Sequence, residues 1–373
     1  MSLLTVTRNT KIYVVAPPRV STGGPELLHQ LAYHLRVDLG LEAYMYYYPE
    51  MQGDPVHPNY RSYANPISKQ ILDEPENIVI VPELASTIRL FSRFHNIQKV
   101  IWWLSVNNFV ASTLPYAHMG LVREILFRFA KFVYRSIVKR LPTSHGLRTK
   151  ALAIRLFGDR ESSWEEMTNN KELMMRLMKA LPVFQANLHL CQSYYALEFL
   201  SSLRFSNVAY LSDYLSDDFL RESVDVAGKE DIVAFSPSKG WAFTWRVMRA
   251  APHLRFESIY GLSRRGVVEL LRRAKVYIDF GSHPGKDRLP REAAILGCCI
   301  VVGKRGSARN EYDVPIPQRY KFAMDERNVS TIVCTIEECV KGYEAVVREF
   351  EPYREWIRRE PEIFRNCVRK IFG

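Results

Sequence analysis

An α/β protein of two domains, each a parallel sheet with helices on its faces, is the fold class this chain predicts. Three observations carry that expectation. Apolar runs of strand length recur along the chain and alternate with stretches of helical periodicity, the pattern of successive βαβ units. Polar, glycine-bearing loops follow the carboxyl ends of the strands, where open α/β sheets hold their ligands. With 373 residues, 47% of them hydrophobic, the chain exceeds one typical domain and has apolar content for two cores.

The first strand is Lys11–Ala16, KIYVVA, which ends at Pro17-Pro18 and the loop Ser21-Thr22-Gly23-Gly24-Pro25. A helix follows with Leu27, Leu28, Leu31, Ala32 and Leu35 on one face, a Rossmann-like opening. Tyr44–Tyr48 reads as the second strand, Pro49–Pro66 as a proline-rich loop, and Asn77–Val81 as the third strand. That strand runs into Pro82-Glu83. Glu83 is a candidate cleft carboxylate and equally an acid in the first turn of a helix from Ala85. Lys99–Leu104, KVIWWL, is the fourth strand, followed by Ser105-Val106-Asn107-Asn108. A period of two places Trp102 and Trp103 on opposite sheet faces.

Leu121–Arg140 reads as a strongly amphipathic helix. Arg123, Arg128, Lys131, Arg135, Lys139 and Arg140 form its basic face, and Ile125, Leu126, Phe129, Phe132 and Val133 belong to its apolar one. Such a helix suits an anionic bilayer interface, and equally a domain core with a solvated basic face. Each basic residue near an anionic surface contributes about 1 kcal/mol. Asp159–Leu181 is helical, Val183–Cys191 strand-like, Gln192–Leu200 helical and Val208–Leu211 a short strand. The polar stretch Ser212–Glu230 is the expected domain boundary.

The second half repeats the alternation. Asp231–Ser236 is a strand, followed by Pro237-Ser238-Lys239-Gly240 and a helix carrying Phe243, Val247 and Met248. Leu254–Ile259 is a strand and Ser263–Ala274 a helix. The most informative stretch is Val276–Ala308, VYIDFGSHPGKDRLPREAAILGCCIVVGKRGSA. A strand over Val276–Phe280 breaks into a loop with Gly281, His283, Pro284 and Gly285. A helix from Arg288 ends at Gly297, and Ile300–Val302 leads into Gly303-Lys304-Arg305-Gly306. Backbone N–H groups at a helix start favour anions. Lys286, Arg288, Arg291, Lys304, Arg305 and Arg309 add positive charge, opposed in the loop and helix by Asp287 and Glu292. Thr335–Phe350 and Pro352–Phe372 are helical, the second with a kink expected at Pro361.

The run Glu292-Ala293-Ala294-Ile295-Leu296-Gly297 resembles the donor-binding core of GT-B glycosyltransferases, especially family 4 and its relatives in polysaccharide and lipopolysaccharide synthesis. Lys239-Gly240 resembles that family's diphosphate-binding lysine and Gly23-Gly24 its first glycine loop. Two departures stand beside these matches. Pro284 occupies the place of a second glutamate, with His283 and Asp287 the nearest polar residues, and Ala234 the place of an arginine. The resemblance implies residues 1–212 as an acceptor-binding domain, 213–345 as a nucleotide-sugar-binding domain, and 346–373 as a helix crossing back to the first. It implies that Glu292 holds the ribose. Lys239, Gly285, Arg288, Lys304 and Arg305 would serve the diphosphate without a metal, and Gly23, Gly24 and Asn107 the acceptor side. Glu83 and His283 are the nominated bases. The nucleotide-sugar is a substrate, and no cofactor is expected. An epimerase or phosphorylase on the same fold, and a non-catalytic nucleotide-sugar-binding protein at a membrane, are the alternatives.

A net charge of +11 points to an anionic partner, and without a recognition fold around the basic patch nucleic acid is not expected. The six cysteines are scattered without a CxxC pair, which predicts neither a disulfide framework nor a zinc site and a cytoplasmic setting. The beginning MSLLTVTRNTK has no apolar signal core. Nowhere does an apolar run reach the roughly 18 residues of a membrane span.

Overall fold

The computed structural model describes residues 4–114, 166–222 and 225–373. The helix expected over Leu121–Arg140, with Arg128, Lys131, Arg135 and Lys139, lies outside them. The first sheet comprises β1 (Lys11–Ala16), β2 (Glu42–Tyr47), β3 (Ile78–Pro82), β4 (Gln98–Trp103), β5 (Leu188–Cys191) and β6 (Val208–Tyr210). Its order is β2-β1-β3-β4-β5-β6, with every pairing parallel. Helices cover both faces of such a sheet, so its strands read as unbroken apolar runs.

The side chains sort by period two. Tyr13, Val15, Val79, Val81, Ile101 and Trp103 face one layer with Phe109 and Met174. Ile12, Val14, Ile80, Val100 and Trp102 face the other with Leu27, Leu31 and Leu35. The adjacent tryptophans thus part to opposite faces, as their spacing requires. The helices of this half are α1 (Gly23–Val37), α2 (Val106–Thr113), α3 (Lys171–Lys179) and α4 (Tyr194–Ser202). Ser105 and Ser193 begin α2 and α4, their hydroxyls accepting the backbone N–H groups of Asn108 and Ala196.

The second sheet holds β7 (Glu230–Phe235), β8 (Arg255–Ser258), β9 (Ala274–Asp279), β10 (Cys299–Gly303) and β11 (Lys321–Phe322), in the order β11-β10-β9-β7-β8, again all parallel. Around it lie α5 (Trp241–Ala250), α6 (Arg264–Arg273), α7 (Arg288–Ile295) and α8 (Val329–Lys341). The helix expected from Thr335 therefore begins earlier, and Gly342 ends it, so Tyr343–Val346 is a separate turn. The two-residue edge strand β11 carries too few residues to show a period.

A single helix, α9 (Glu351–Phe372), closes the chain and runs through Pro361. Its apolar stripe is divided between the two halves. Tyr353 and Ile357 are buried in the core of the second sheet. Phe364, Val368 and Phe372 are buried against the first, where Phe364 meets Trp102 and Tyr214. Proline removes one backbone donor, yet packing on both sides of it keeps the helix going.

Each sheet has one place where strand order reverses, between β1 and β3 in the first and between β7 and β9 in the second. Open α/β sheets bind ligands just outside the strand ends at that point.

Candidate functional site

The loops after both reversal points line one cavity of about 420 Å³. Gly23 and Gly24, between β1 and α1, form part of one wall. Ser236, Ser238 and Lys239 come from the loop after β7, Asp279 from the end of β9, and Asp287, Arg288 and Leu289 from the start of α7. Glycine is required where the loops touch. At Gly240 φ is +60°, and a Cβ there would fall 2.3 Å from the Phe280 carbonyl carbon. The β7 and β9 loops are therefore in backbone contact, which carries Lys239 over Asp287. The Lys239 Nζ lies 2.7 Å from the Asp287 Oδ2, with the lysine side chain 39% exposed to the cavity.

Arg288 crosses to the first domain. Its guanidinium pairs with Glu26 of α1, and its Nε lies 3.5 Å from the Glu292 Oε1 one turn along. The side chain passes so close to Gly23 that a Cβ there would be 3.0 Å from the Arg288 Cδ. Burial pushes the Glu292 carboxyl above its usual range, and Arg288 draws it back. Glu292 thus faces the interdomain gap behind Arg288, outside the cavity wall itself.

The loop from Gly281 to Lys286 differs from its expected role. Its sequence predicts backbone donors open to phosphate, and it is instead a wedge between the domains. The Pro284 carbonyl accepts the Val106 N–H at 2.9 Å, the Asn107 Nδ2 donates to the Ser282 Oγ at 3.2 Å, and the Lys286 N–H donates to the Gln192 Oε1 at 2.8 Å. Gly285 is small because a Cβ would stand 2.3 Å from the Leu104 carbonyl oxygen. Gly285 and Asn107 hold the two domains together here rather than presenting atoms to the cavity.

Two of the expected phosphate cations are turned inward. The Lys286 Nζ lies 2.9 Å from the Glu360 Oε1 and 3.4 Å from the Asp213 Oδ1. Arg291 reaches the Asp213 Oδ2 at 2.6 Å and the Glu360 Oε2 at 2.8 Å. All four side chains are buried. Burial pushes the Asp213 carboxyl up, and Arg291 and Lys286 more than reverse that. Two positive charges meet two negative ones, so these cations are already satisfied. Their partners lie far away in sequence, on the interdomain linker and on α9, which is why the local charge balance misjudged them.

Lys304 is exposed and Arg305 buried after β10, and neither lines the cavity. Glu83 is buried at 1% exposure and its Oε2 accepts the Leu104 N–H at 2.9 Å. It fastens the β3 and β4 loops and cannot reach an acceptor hydroxyl. His283 is fully buried as well, behind Asp279 and Asp287. Neither nominated base is placed to take a proton from an acceptor. Sequence reading missed Glu26, Gln192, Asp213 and Asp279. Only Asp279 carried a local signal, a carboxylate at the end of an otherwise apolar strand.

No protein-family model matches this chain, and no curated protein matches it by sequence. Solved structures share its architecture. HepE of Anabaena in complex with UDP-glucose superposes with a TM-score of 0.54 over 97% of this chain and 99% of that one, at 9% identity. The lipopolysaccharide outer core galactosyltransferase WaaB, in its apo form, gives 0.55 over 97% and 99% at 10% identity. The N-terminal domain of Candida albicans trehalose-6-phosphate phosphatase gives 0.53 over 98% and 97% at 9% identity. With two Rossmann-like parallel sheets facing a cleft, the chain has the GT-B fold.

Proposed function

Starting from that fold, we propose that this chain transfers a sugar from a nucleotide-sugar donor to a carbohydrate or lipid-linked acceptor in cell-surface polysaccharide or glycolipid synthesis. The observation that carries the reading is the cavity between the two reversal points. It brings Lys239, the start of α7 and the glycine loop Gly23-Gly24 around one space. The step that most needs electrostatic help in such a transfer is departure of the nucleoside diphosphate, where negative charge builds on the leaving oxygen. Lys239 supplies a cation there. The N-terminus of α7, where Arg288 and Leu289 reach the cavity, adds its backbone dipole. Glu292, which stands behind Arg288, takes the ribose hydroxyls once the arginine turns aside to the same ligand. The acceptor enters against the first domain, over Gly23 and Gly24. HepE, the protein solved with UDP-glucose, makes a UDP-sugar the first donor to try.

The test is calorimetric titration of the whole chain with UDP-glucose and other nucleotide-sugars, followed by a transfer assay. Binding of a nucleotide-sugar is expected, and Glu292→Ala should weaken it by about 1–3 kcal/mol, the cost of losing hydrogen bonds to a charged group. No affinity for any nucleotide-sugar would end the reading. An unchanged dissociation constant in Glu292→Ala would retire the ribose assignment.

The basic helix expected over Leu121–Arg140 supports a peripheral place on an anionic membrane surface, where a lipid-linked acceptor resides. Among the described residues, no helix is long and apolar enough to cross a membrane.

A further inference from the structure

We propose that Asp279, His283 and Asp287 form a binding site for one divalent metal ion at the wall of the cavity. Asp279 ends β9, His283 sits in the following loop and Asp287 is the residue before α7. Each can offer a ligand atom, and these atoms lie within 4.8 Å of one another, a few tenths of an ångström wider than the roughly 4.4 Å that opposite donors span around one ion.

His283 points to a ligand. Its side chain is fully buried and neither ring nitrogen has a hydrogen-bond partner. The Nε2 lies 3.7 Å from the Asp279 Oδ1 and the Nδ1 3.4 Å from the Asp287 Oδ2. Buried polar atoms in native proteins are almost always paired. No hydrogen bond closes on either nitrogen although a carboxylate stands near each, and an ion on one of them, shared with a carboxylate oxygen, would supply that nitrogen's partner.

The surroundings hold the three groups in place, as supporting shells do around metal ligands. The Asp279 Oδ1 accepts the Gly281 N–H at 2.9 Å, and its Oδ2 accepts the Tyr277 hydroxyl at 3.2 Å. The His283 carbonyl accepts the Ser307 N–H at 2.7 Å. Gly306, at φ +52°, permits that approach, since a Cβ there would be 2.0 Å from the same oxygen. Lys239 already pairs with the Asp287 Oδ2. The second oxygen of Asp287 allows ion and lysine to share the carboxylate.

Two carboxylate oxygens and one imidazole nitrogen suit manganese or zinc better than the all-oxygen preference of magnesium or calcium. Asp279 and Asp287 both line the cavity, so the open coordination positions face it. The ion would there meet the diphosphate oxygens. That use rests on the transferase reading, whereas the ion site itself does not.

The experiment is titration of the chelator-treated whole chain with manganese chloride, without nucleotide, followed by paramagnetic resonance. One bound ion per chain is expected. His283→Asn and Asp279→Asn should each weaken binding at least about tenfold, and Tyr277→Phe, which keeps all three ligands, by about tenfold. Circular dichroism confirms that each variant is folded, and Tyr277→Phe keeps the test alive if the others are not. Neither manganese nor zinc on folded wild type at millimolar concentration overturns the proposal, and so does unchanged affinity in folded His283→Asn. Titrating UDP-glucose in chelator separates the two readings. UDP-glucose binding in chelator, together with failure of the metal titration, defeats the ion site alone. An ion bound with no nucleotide-sugar affinity upholds the site and defeats the transferase reading.

Discussion

Glu83 stands at the carboxyl end of β3, where a strand-end acid commonly meets a ligand, and its carboxylate instead accepts the Leu104 N–H. Burial pushes its pKa up to about 7, against the lowering effect of that and other backbone hydrogen bonds. A carboxyl whose folded pKa exceeds its unfolded value favours the folded state while protonated. The advantage is complete below the unfolded value near 4.5 and is lost as pH rises to about 7. At 1.36 kcal/mol per unit the loss is about 3 kcal/mol. His29 and His189, which burial lowers to about 4, tilt stability the other way. The readout is therefore wild type minus Glu83→Gln, from urea unfolding at pH 5 and pH 8. The difference should change by about 3 kcal/mol in the direction that leaves wild type weaker at pH 8. An identical pH dependence in the two proteins would show that Glu83 is not buried as described.

Among the elements, α7 and α9 depend most on each other. α7 is amphipathic in an unusual sense: Arg291 points into the protein and Arg288 across the cleft. α9 carries Glu360 on the stripe that otherwise holds Tyr353, Ile357, Phe364 and Val368, all buried. Glu360 stands at the point where that stripe passes from one core to the other. Removing one member of a buried, paired set leaves its partners charged and without a counter-ion. Arg291→Ala should therefore cost about 3–5 kcal/mol in chemical denaturation. A loss below about 1 kcal/mol, typical of exposed pairs, would mean that water reaches the set. The strands and most helices at this scale were legible, because apolar periodicity is local. The edge strand β11 and the early start of α8 were not, since two residues show no period and pairing to β10 is a long-range event.

For the molecule as a whole, net charge matters through where it is displayed. Among the lysines and arginines behind the +11, Lys286, Arg288 and Arg291 are turned onto acids inside the protein and are not displayed. The basic run over Leu121–Arg140 is a separate concentration of charge. Charge reversal at Arg128, Lys131 and Arg135 together should abolish co-sedimentation with liposomes containing anionic lipid, and wild-type binding should fall as salt rises. Wild type that stays in the supernatant at low salt would remove the membrane from the account. The cleft follows from topology, because two sheets with facing reversal points must leave a space between their strand ends.

By itself the chain order of strands, loops and helices determined the α/β class, the two parallel sheets and the glycine loops at their carboxyl ends. Those are consequences of periodicity and turn chemistry within short windows. It also singled out Lys239 and Arg288 as cations near one space. Only the tertiary structure decided which charges remain available there. Asp213, Glu26 and Glu360 are remote in sequence from the cations they neutralise, and no local pattern records a pairing made by domain packing. The same holds for His283. Its neighbours in sequence suggested an open loop, whereas closure of the first domain and the β10 loop over it sealed the ring between two carboxylates.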